Sequence, residues 1–243
     1  MRQAEKVDLG SDDWTMEIRP YASAFHFPIK ELWEYRDLLF LFVRRDFKTM
    51  YKQTILGPAW ILLSPLLTTG MFSLIFGRIA GISTDGTPAF LFYMAGNILW
   101  NYFSSCLSAT SSTFIGNAGL FGKVYFPRIV VPASSAVSKL ITFGAQFLLF
   151  LILLFCSLGS GQVRITWLCL MTPVLLVMLA LLAIGTGMIL ASLTAKYRDL
   201  QVLVGFGIQL WMYASPIVYP LSQIPGKWRI LLSLNPVAYI VEC

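Results

Sequence analysis

Charged residues and the side chains used most often in catalysis are scarce in this chain. Of its 243 residues 12% are charged, 57% are hydrophobic, and a single histidine, His26, occurs. No HExxH, GxSxG or paired-carboxylate arrangement is present, so the chain lacks the groups that proton transfer and nucleophile activation require. We therefore expect this chain to be no enzyme by itself.

The sequence also lacks the usual signs of metal binding, nucleotide binding and secretion. Its four cysteines share no ligand-like spacing, which makes a metal site or a disulfide improbable. Residues 116–123 resemble a phosphate-binding loop superficially, but no Ser or Thr follows Lys123. The first 30 residues contain no apolar core with a cleavage site, so no secretory signal peptide is expected. We expect no cofactor on this chain, and any nucleotide to bind elsewhere.

Long apolar stretches are what the chain has in abundance. Each approaches or exceeds the roughly 20 residues that a membrane-spanning helix needs, and the last is marginal. The only charge inside any of them is Lys139. The five stretches are Pro58–Gly77, Phe90–Thr113, Val130–Leu158, Trp167–Thr194 and Val202–Tyr219. They predict an all-α integral membrane protein that crosses the bilayer several times.

The basic residues predict its orientation. If the N-terminus is cytoplasmic, every Lys and Arg lies on the inner side except Arg78, Arg164, Lys227 and Arg229. This distribution agrees with the positive-inside rule. Because the basic residues gather at the ends of the apolar stretches and form no groove, we expect no nucleic-acid binding.

The chain is predicted to have three parts. Residues 1–29 form a polar cytoplasmic tail. Residues 30–57 carry apolar residues at helical spacing, with acidic residues first and basic residues last, which predicts an amphipathic helix in the cytoplasmic interface; a helix packed on a soluble core is the alternative. Residues 58–243 form the transmembrane domain. Five spans would leave the end of the chain outside, soon after Asn235-Pro236, so we expect that a sixth span is missing.

Polar residues follow one face of the second stretch. Asn97, Asn101, Ser104 and Ser108 recur at steps of three and four residues, which places them together on a helix. Such a face avoids lipid and either lines a conduit or packs against other helices; both interpretations stay open. For the fourth stretch the small residues Ala183, Gly187 and Ala191 favour packing. The candidate conduit residues are Asn97, Trp100, Asn101, Tyr102, Ser104, Ser108, Gln209 and Tyr213.

Several sequence blocks resemble the membrane subunit of ABC-2 type polysaccharide exporters. They are Arg45–Pro65, Lys123–Pro132, Lys196–Asp199, Ser215–Pro220 and Asn235-Pro236. The sequence Lys-Val-Tyr-Phe-Pro-Arg at 123–128 is highly specific, and the resemblance covers about residues 30–243.

This resemblance implies a permease of the bacterial inner membrane with six spans, an interface helix and an N-terminus in the cytoplasm. It implies a homodimer paired with two copies of a separate ABC ATPase that binds ATP and magnesium. The substrate would be an undecaprenyl-diphosphate-linked glycan such as O-antigen, capsule or teichoic acid. The permease, surrounded by membrane lipid, would export this glycan during lipopolysaccharide biosynthesis or a related process.

The resemblance also implies roles for three groups of residues. The loop between the second and third spans would couple to the ATPase, although its bases could serve topology alone. The groups are Lys123, Tyr125, Phe126, Pro127 and Arg128 in the coupling loop; Arg44, Arg45, Asp46, Tyr51 and Lys52 in the interface helix; and Tyr197, Arg198 and Asp199 in the inner loop.

Other functions agree less well with the sequence. An ABC-2 exporter of a drug or a lipid would share the fold, but the Phe-Pro-Arg block disfavours it. A glycan-modifying membrane enzyme would need acid and base residues that are absent. A passive scaffold would not need the polar face on the second stretch.

Overall fold

The computed structural model describes residues 29–52, 55–84, 86–158, 171–220 and 235–242, and the described elements are helices. The helices are α1 Ile29–Glu34, α2 Arg36–Tyr51, α3 Trp60–Phe72, α4 Ala89–Ser111, α5 Thr113–Gly116, α6 Ala118–Phe121, α7 Val130–Leu158, α8 Thr172–Lys196, α9 Leu200–Tyr213 and α10 Pro236–Glu242. The two short helices α5 and α6 lie between α4 and α7. The all-α membrane fold expected from the sequence is confirmed.

The predicted interface helix is two helices in the structure. A turn at Tyr35 separates α1 from α2, and α2 ends at Tyr51. The apolar side of α2 packs on the beginning of α7, where Phe42, Phe126, Val130 and Val131 form a small buried cluster. The position of α2 at the membrane surface stays a prediction, and the predicted tail lies outside the described residues.

The start of α3 is set by glycine and proline. Gly57 has a φ of +50°, which favours glycine, and Pro58 follows in a single 3-10 turn that leads into α3. Beyond Phe72 the helix continues as the wider π-helical segment Ser73–Ile79. The continuous helix Gly57–Ile79 has 23 residues, or roughly 35 Å at 1.5 Å per residue, which is long enough to cross the hydrocarbon core.

Helix α4 is the centre of the molecule, because α3, α7, α8, α9 and α10 all contact it. Its side chains dominate the main core, where Met94, Ile98, Phe103 and Leu107 are almost fully buried. Only a helix with neighbours on most sides can carry polar residues at this depth without exposing them to lipid. The fold therefore places Asn97, the first residue of the predicted polar face, inside the helix bundle.

The packing of α8 on α4 confirms the interpretation of the small residues. Ala183, Gly187 and Ala191 are buried, and a Cβ on Gly187 would lie 2.6 Å from the Cβ of Thr110. Further along α8, the Thr194 hydroxyl donates to the Ser111 carbonyl at 2.7 Å. Small side chains let the two backbones approach closely, as is common between membrane helices.

Three of the described helices are long and apolar enough to cross a membrane: Gly57–Ile79, Val130–Leu158 and Thr172–Lys196. Helix α4 is also 23 residues long, but its asparagines and serines lower its hydropathy. Helix α9 has 14 residues and ends at Tyr213, before the predicted end at Tyr219, because Pro216 restricts the preceding residue and cannot donate a backbone hydrogen bond. The number of spans stays a prediction.

Candidate conduit and coupling surfaces

The polar face of α4 is divided between the core and more accessible positions. Asn97 is 3% exposed, while Asn101 and Ser104 are half-buried and Ser108 is exposed. Asn101 Nδ2 donates to Asn97 Oδ1 at 3.4 Å, and the Ser104 hydroxyl donates to the Asn101 carbonyl at 3.3 Å. The amide nitrogen of Asn97 is buried and has no hydrogen-bond partner among the described residues. The face is therefore only partly satisfied by the chain itself.

The two aromatic candidates on α4 lie in the core of the single chain. Trp100 is 4% exposed and contacts Phe103, with 5.5 Å between ring centroids. Tyr102 is 5% exposed and meets Phe143 of α7 edge-on at 5.6 Å. Their position supports a packing role in this conformation, and their part in lining a conduit stays a prediction.

A cavity of about 340 Å³ with both apolar and polar lining residues lies among α3, α4 and α7, beside the end of α2. The Gln146 side chain lines this cavity and donates to the Ile61 carbonyl at 3.2 Å, which joins α7 to α3. Asn101 and Tyr102 are the two predicted conduit residues that this cavity includes. Its lining residues are Met50, Trp60, Ile61, Ser64, Asn101, Tyr102, Ser105, Lys139, Thr142, Phe143 and Gln146.

No motif in the sequence marks this cavity as a site. One signal was available, because Lys139 is the only charge inside the apolar stretches and a charge at that depth needs polar surroundings. Thr142 and Gln146 lie three and seven residues further along the same helix, a spacing that shares a face with Lys139. The residues contributed by α3 and α4 could not be found in this way, because that contact depends on tertiary structure.

The two candidates on α9 point away from the chain. Gln209 and Tyr213 are exposed, Tyr213 by 52%. No residue of α9 is buried, and its exposed apolar side chains include Val202 and Phe206. Trp211 turns inward and meets Phe103 of α4, at 5.2 Å between ring centroids, and Ile208 and Met212 also pack against the core. The structure thus does not bring Gln209 and Tyr213 together with the α4 face within one chain.

A hydrogen-bond network joins the end of α9 to the beginning of α10. Asn235 Oδ1 accepts from Trp211 Nε1 and from the Val237 amide, both at 3.1 Å. Asn235 Nδ2 donates to the Ser215 hydroxyl at 2.9 Å and to the Ala214 carbonyl at 3.2 Å. The blocks around Ser215-Pro216 and Asn235-Pro236, noted separately in the sequence, are therefore one structural unit. Because the two blocks are separated in the sequence, the sequence alone did not indicate that they are in contact.

The coupling loop has one buried anchor and an exposed surface. Phe126 is 5% exposed and packs between Phe42 of α2 and Phe121, at 5.8 and 5.4 Å between ring centroids. Pro127 is half-buried, whereas Lys123, Tyr125 and Arg128 are exposed. The structure therefore holds the loop against α2 and leaves Lys123, Tyr125 and Arg128 on the surface.

Exposed charges continue on α2 and on the inner loop. Arg44, Arg45 and Lys52 are exposed and Asp46 is half-buried; the side chain of Tyr51 lies outside what is described. Arg45 Nη2 binds Asp46 at 2.8 Å and its guanidinium lies over the Phe42 ring at 4.8 Å, which links this pair to the loop anchor. The inner-loop residues Tyr197, Arg198 and Asp199, which directly follow α8, are also exposed.

Comparison with known proteins agrees with these features. Residues 37–243 match the family described as ABC-2 type transporter. The chain is 31% identical over 215 residues to the O-antigen export system permease protein RfbA of Myxococcus xanthus, covering 88% of this chain and 80% of that protein. It is 28% identical over 205 residues to a protein of the same name from Klebsiella pneumoniae, covering 84% and 77%. The polysialic acid transport protein KpsM of Escherichia coli is 26% identical over 216 residues, covering 85% and 78%.

Proposed function

This chain belongs to the ABC-2 type transporter family, and on that premise we propose that it is the permease subunit of an exporter of lipid-linked polysaccharide. The glycan, of the O-antigen, capsule or teichoic-acid kind, is carried on undecaprenyl diphosphate. The permease lies in the bacterial inner membrane with its N-terminus in the cytoplasm. The names of the relatives, which concern O-antigen and polysialic acid, support this class of substrate.

The observation that carries this proposal is the polar face of α4. A sugar polymer crossing the hydrocarbon region needs hydrogen-bonding groups, and weak contacts at many sites let it slide without being trapped. Asn97 and Asn101 lie on the most central helix, and the buried amide nitrogen of Asn97 has no protein partner in the described chain. If this face served only for helix packing, the unpaired buried donor would cost about 1–3 kcal/mol of stability. A passing glycan hydroxyl would accept a hydrogen bond from this donor.

Energy for export comes from a separate ABC ATPase, two copies of which bind ATP and magnesium and act on a homodimer of this chain. The exposed residues Lys123, Tyr125 and Arg128 form the contact surface of the coupling loop. Phe126 transmits movement of the loop to α2, because its ring packs directly on Phe42. The exposed faces of α9 are covered by the second copy or line the conduit between the copies.

Deletion of the gene in its native host tests the function. We expect surface polysaccharide to disappear and the lipid-linked glycan to accumulate inside the cell, with both effects reversed by the wild-type gene. Matched cells carrying an inactive partner ATPase should show the same accumulation. Normal surface polysaccharide, together with altered drug resistance or lipid distribution, would favour the drug or lipid exporter and contradict the proposal.

A further inference from the structure

The cavity among α3, α4 and α7 contains a cation, and the described residues provide no counterion for it. Lys139 lines the cavity, and among the described residues its ammonium group has no hydrogen-bond or carboxylate partner. The polar side chains that share the lining with Lys139 carry hydroxyls and amides, from Ser64, Asn101, Tyr102, Ser105, Thr142 and Gln146. Lys139 is half-buried, and a charge that is partly removed from water is stabilised by an opposite charge or by several hydrogen bonds. The cavity therefore offers a positive charge and has room for an anion.

The hydroxyl groups of the lining are also available. The described structure gives the hydroxyls of Ser64, Ser105 and Thr142 no hydrogen-bond partner, although other serines and threonines of the same helices donate to backbone carbonyls, as Thr68 does to Ser64 at 3.0 Å. Gln146 already uses one amide hydrogen on the Ile61 carbonyl. These three hydroxyls line the same cavity as Lys139, and an anion with several acceptor oxygens would satisfy them together with the ammonium group.

The depth of the cavity indicates where this anion comes from. Helix α7 has 29 residues, or roughly 44 Å at 1.5 Å per residue, against about 30 Å of hydrocarbon. Its first turns pack on α2 through Val130 and Val131, so the surplus length lies on the side of α2. Lys139 lies about 14 Å along α7, near the inner edge of the hydrocarbon. Trp60 and Met50 of the same lining mark this level, since tryptophan is enriched at membrane interfaces.

We propose that the cavity around Lys139 binds the phosphate group of an anionic lipid at the cytoplasmic surface of the membrane. Lys139 neutralises the charge, and the hydroxyls of Ser64, Ser105 and Thr142 donate to the remaining phosphate oxygens. A cavity of about 340 Å³ falls within the range of small-molecule sites and holds a headgroup while the chains stay in the bilayer. The headgroup belongs either to a bulk phospholipid or to the polyprenyl diphosphate carrier; the second source rests on the proposed function.

Lipid binding to the purified permease tests this site. Native mass spectrometry would measure retention of phosphatidylglycerol and of undecaprenyl diphosphate by the wild type, by Lys139→Met and by the control Lys48→Met. Lys48 is an exposed base on α2 outside the cavity lining. We expect Lys139→Met to weaken retention about ten- to a hundredfold, the effect of losing one charge-assisted hydrogen bond. Lys48→Met should change it less than threefold, and Lys139→Arg should restore most of it.

The arms of this experiment separate the two sources. Lys139-dependent retention of both lipids indicates a general headgroup site, and retention of undecaprenyl diphosphate alone indicates a carrier site; either result supports the proposal. Inorganic diphosphate should compete with the lipid in both cases. Thr142→Val repeats the test with a smaller change, in case Lys139→Met does not fold.

Equal retention by Lys139→Met and Lys48→Met would overturn the site. In that case Lys139 would be neutralised by a partner carboxylate or would reach the interfacial water. Such a result would leave the proposed function intact, since the gene deletion tests export without reference to this cavity.

Discussion

At the scale of single residues, the contact between α4 and α8 depends on the absence of a side chain at Gly187. A Cβ there would lie 2.6 Å from the Thr110 Cβ and 2.7 Å from its Cγ2, well inside van der Waals contact. Thr110 is fully buried, so it cannot move into open space. The two helices would have to separate to admit even one methyl group.

Gly187→Ala should therefore destabilise the protein. We expect a loss of about 1–3 kcal/mol from overpacking, seen as a lower midpoint of thermal unfolding in detergent. Gly185→Ala is the matched control, because a Cβ on Gly185 meets nothing within 4 Å. This control should be neutral or slightly stabilising, since alanine is favoured over glycine in a helix. Equal midpoints for the two variants would contradict the close approach at Gly187.

At the scale of secondary-structure elements, the coupling loop and α2 behave as one unit. Phe126 is buried against Phe42, and Arg45 lies over the same Phe42 ring while it binds Asp46. Arg128 lies 5.9 Å from the Phe114 ring centroid but is otherwise exposed. One aromatic anchor thus supports the loop, and the charges face outward.

Phe126→Ala and Arg128→Glu should separate stability from coupling. Phe126→Ala removes a buried ring and should cost about 3–5 kcal/mol, lowering the thermal midpoint of the permease alone. Arg128→Glu should leave that midpoint nearly unchanged, because an exposed cation–π contact is worth about 0.5–1 kcal/mol, but it should uncouple ATP hydrolysis from export. A normal rate of export per ATP in Arg128→Glu would instead assign Arg128 to topology.

At the scale of the whole molecule, the sequence predicted the fold better than the site. Apolar runs and basic flanks are local in the sequence, so they predicted a helical membrane protein and the approximate bounds of the long helices α4, α7 and α8. The cavity around Lys139 joins residues of α3, α4 and α7, and the Asn235 network joins two blocks about 20 residues apart. Periodicity along one helix contains no information about which neighbour covers that helix. Periodicity along α4 therefore could not show that the rings of Trp100 and Tyr102 are buried.

Within the part of the chain that the structure describes, α9 presents an exposed surface. Helix α9 exposes Gln209 and Tyr213 together with several apolar side chains, and Ser108 of α4 is exposed as well. In a homodimer these residues would face the second copy or the conduit, not lipid. Leu148 of α7 is also exposed, by 62%, but it has only apolar neighbours along its helix and should face lipid.

Cysteine labelling during transport tests the central claim, that the polar faces line the path of the glycan. Single cysteines at Ser108, Gln209 and, as the lipid-facing control, Leu148 would be introduced after the native cysteines are replaced, and exposed to a small aqueous thiol reagent in the assembled transporter. We predict labelling at 108 and 209 during ATP-driven export, protection of both when glycan occupies the conduit, and no labelling at 148. The account would be contradicted if positions 108 and 209 stayed as unreactive as position 148 in every nucleotide state.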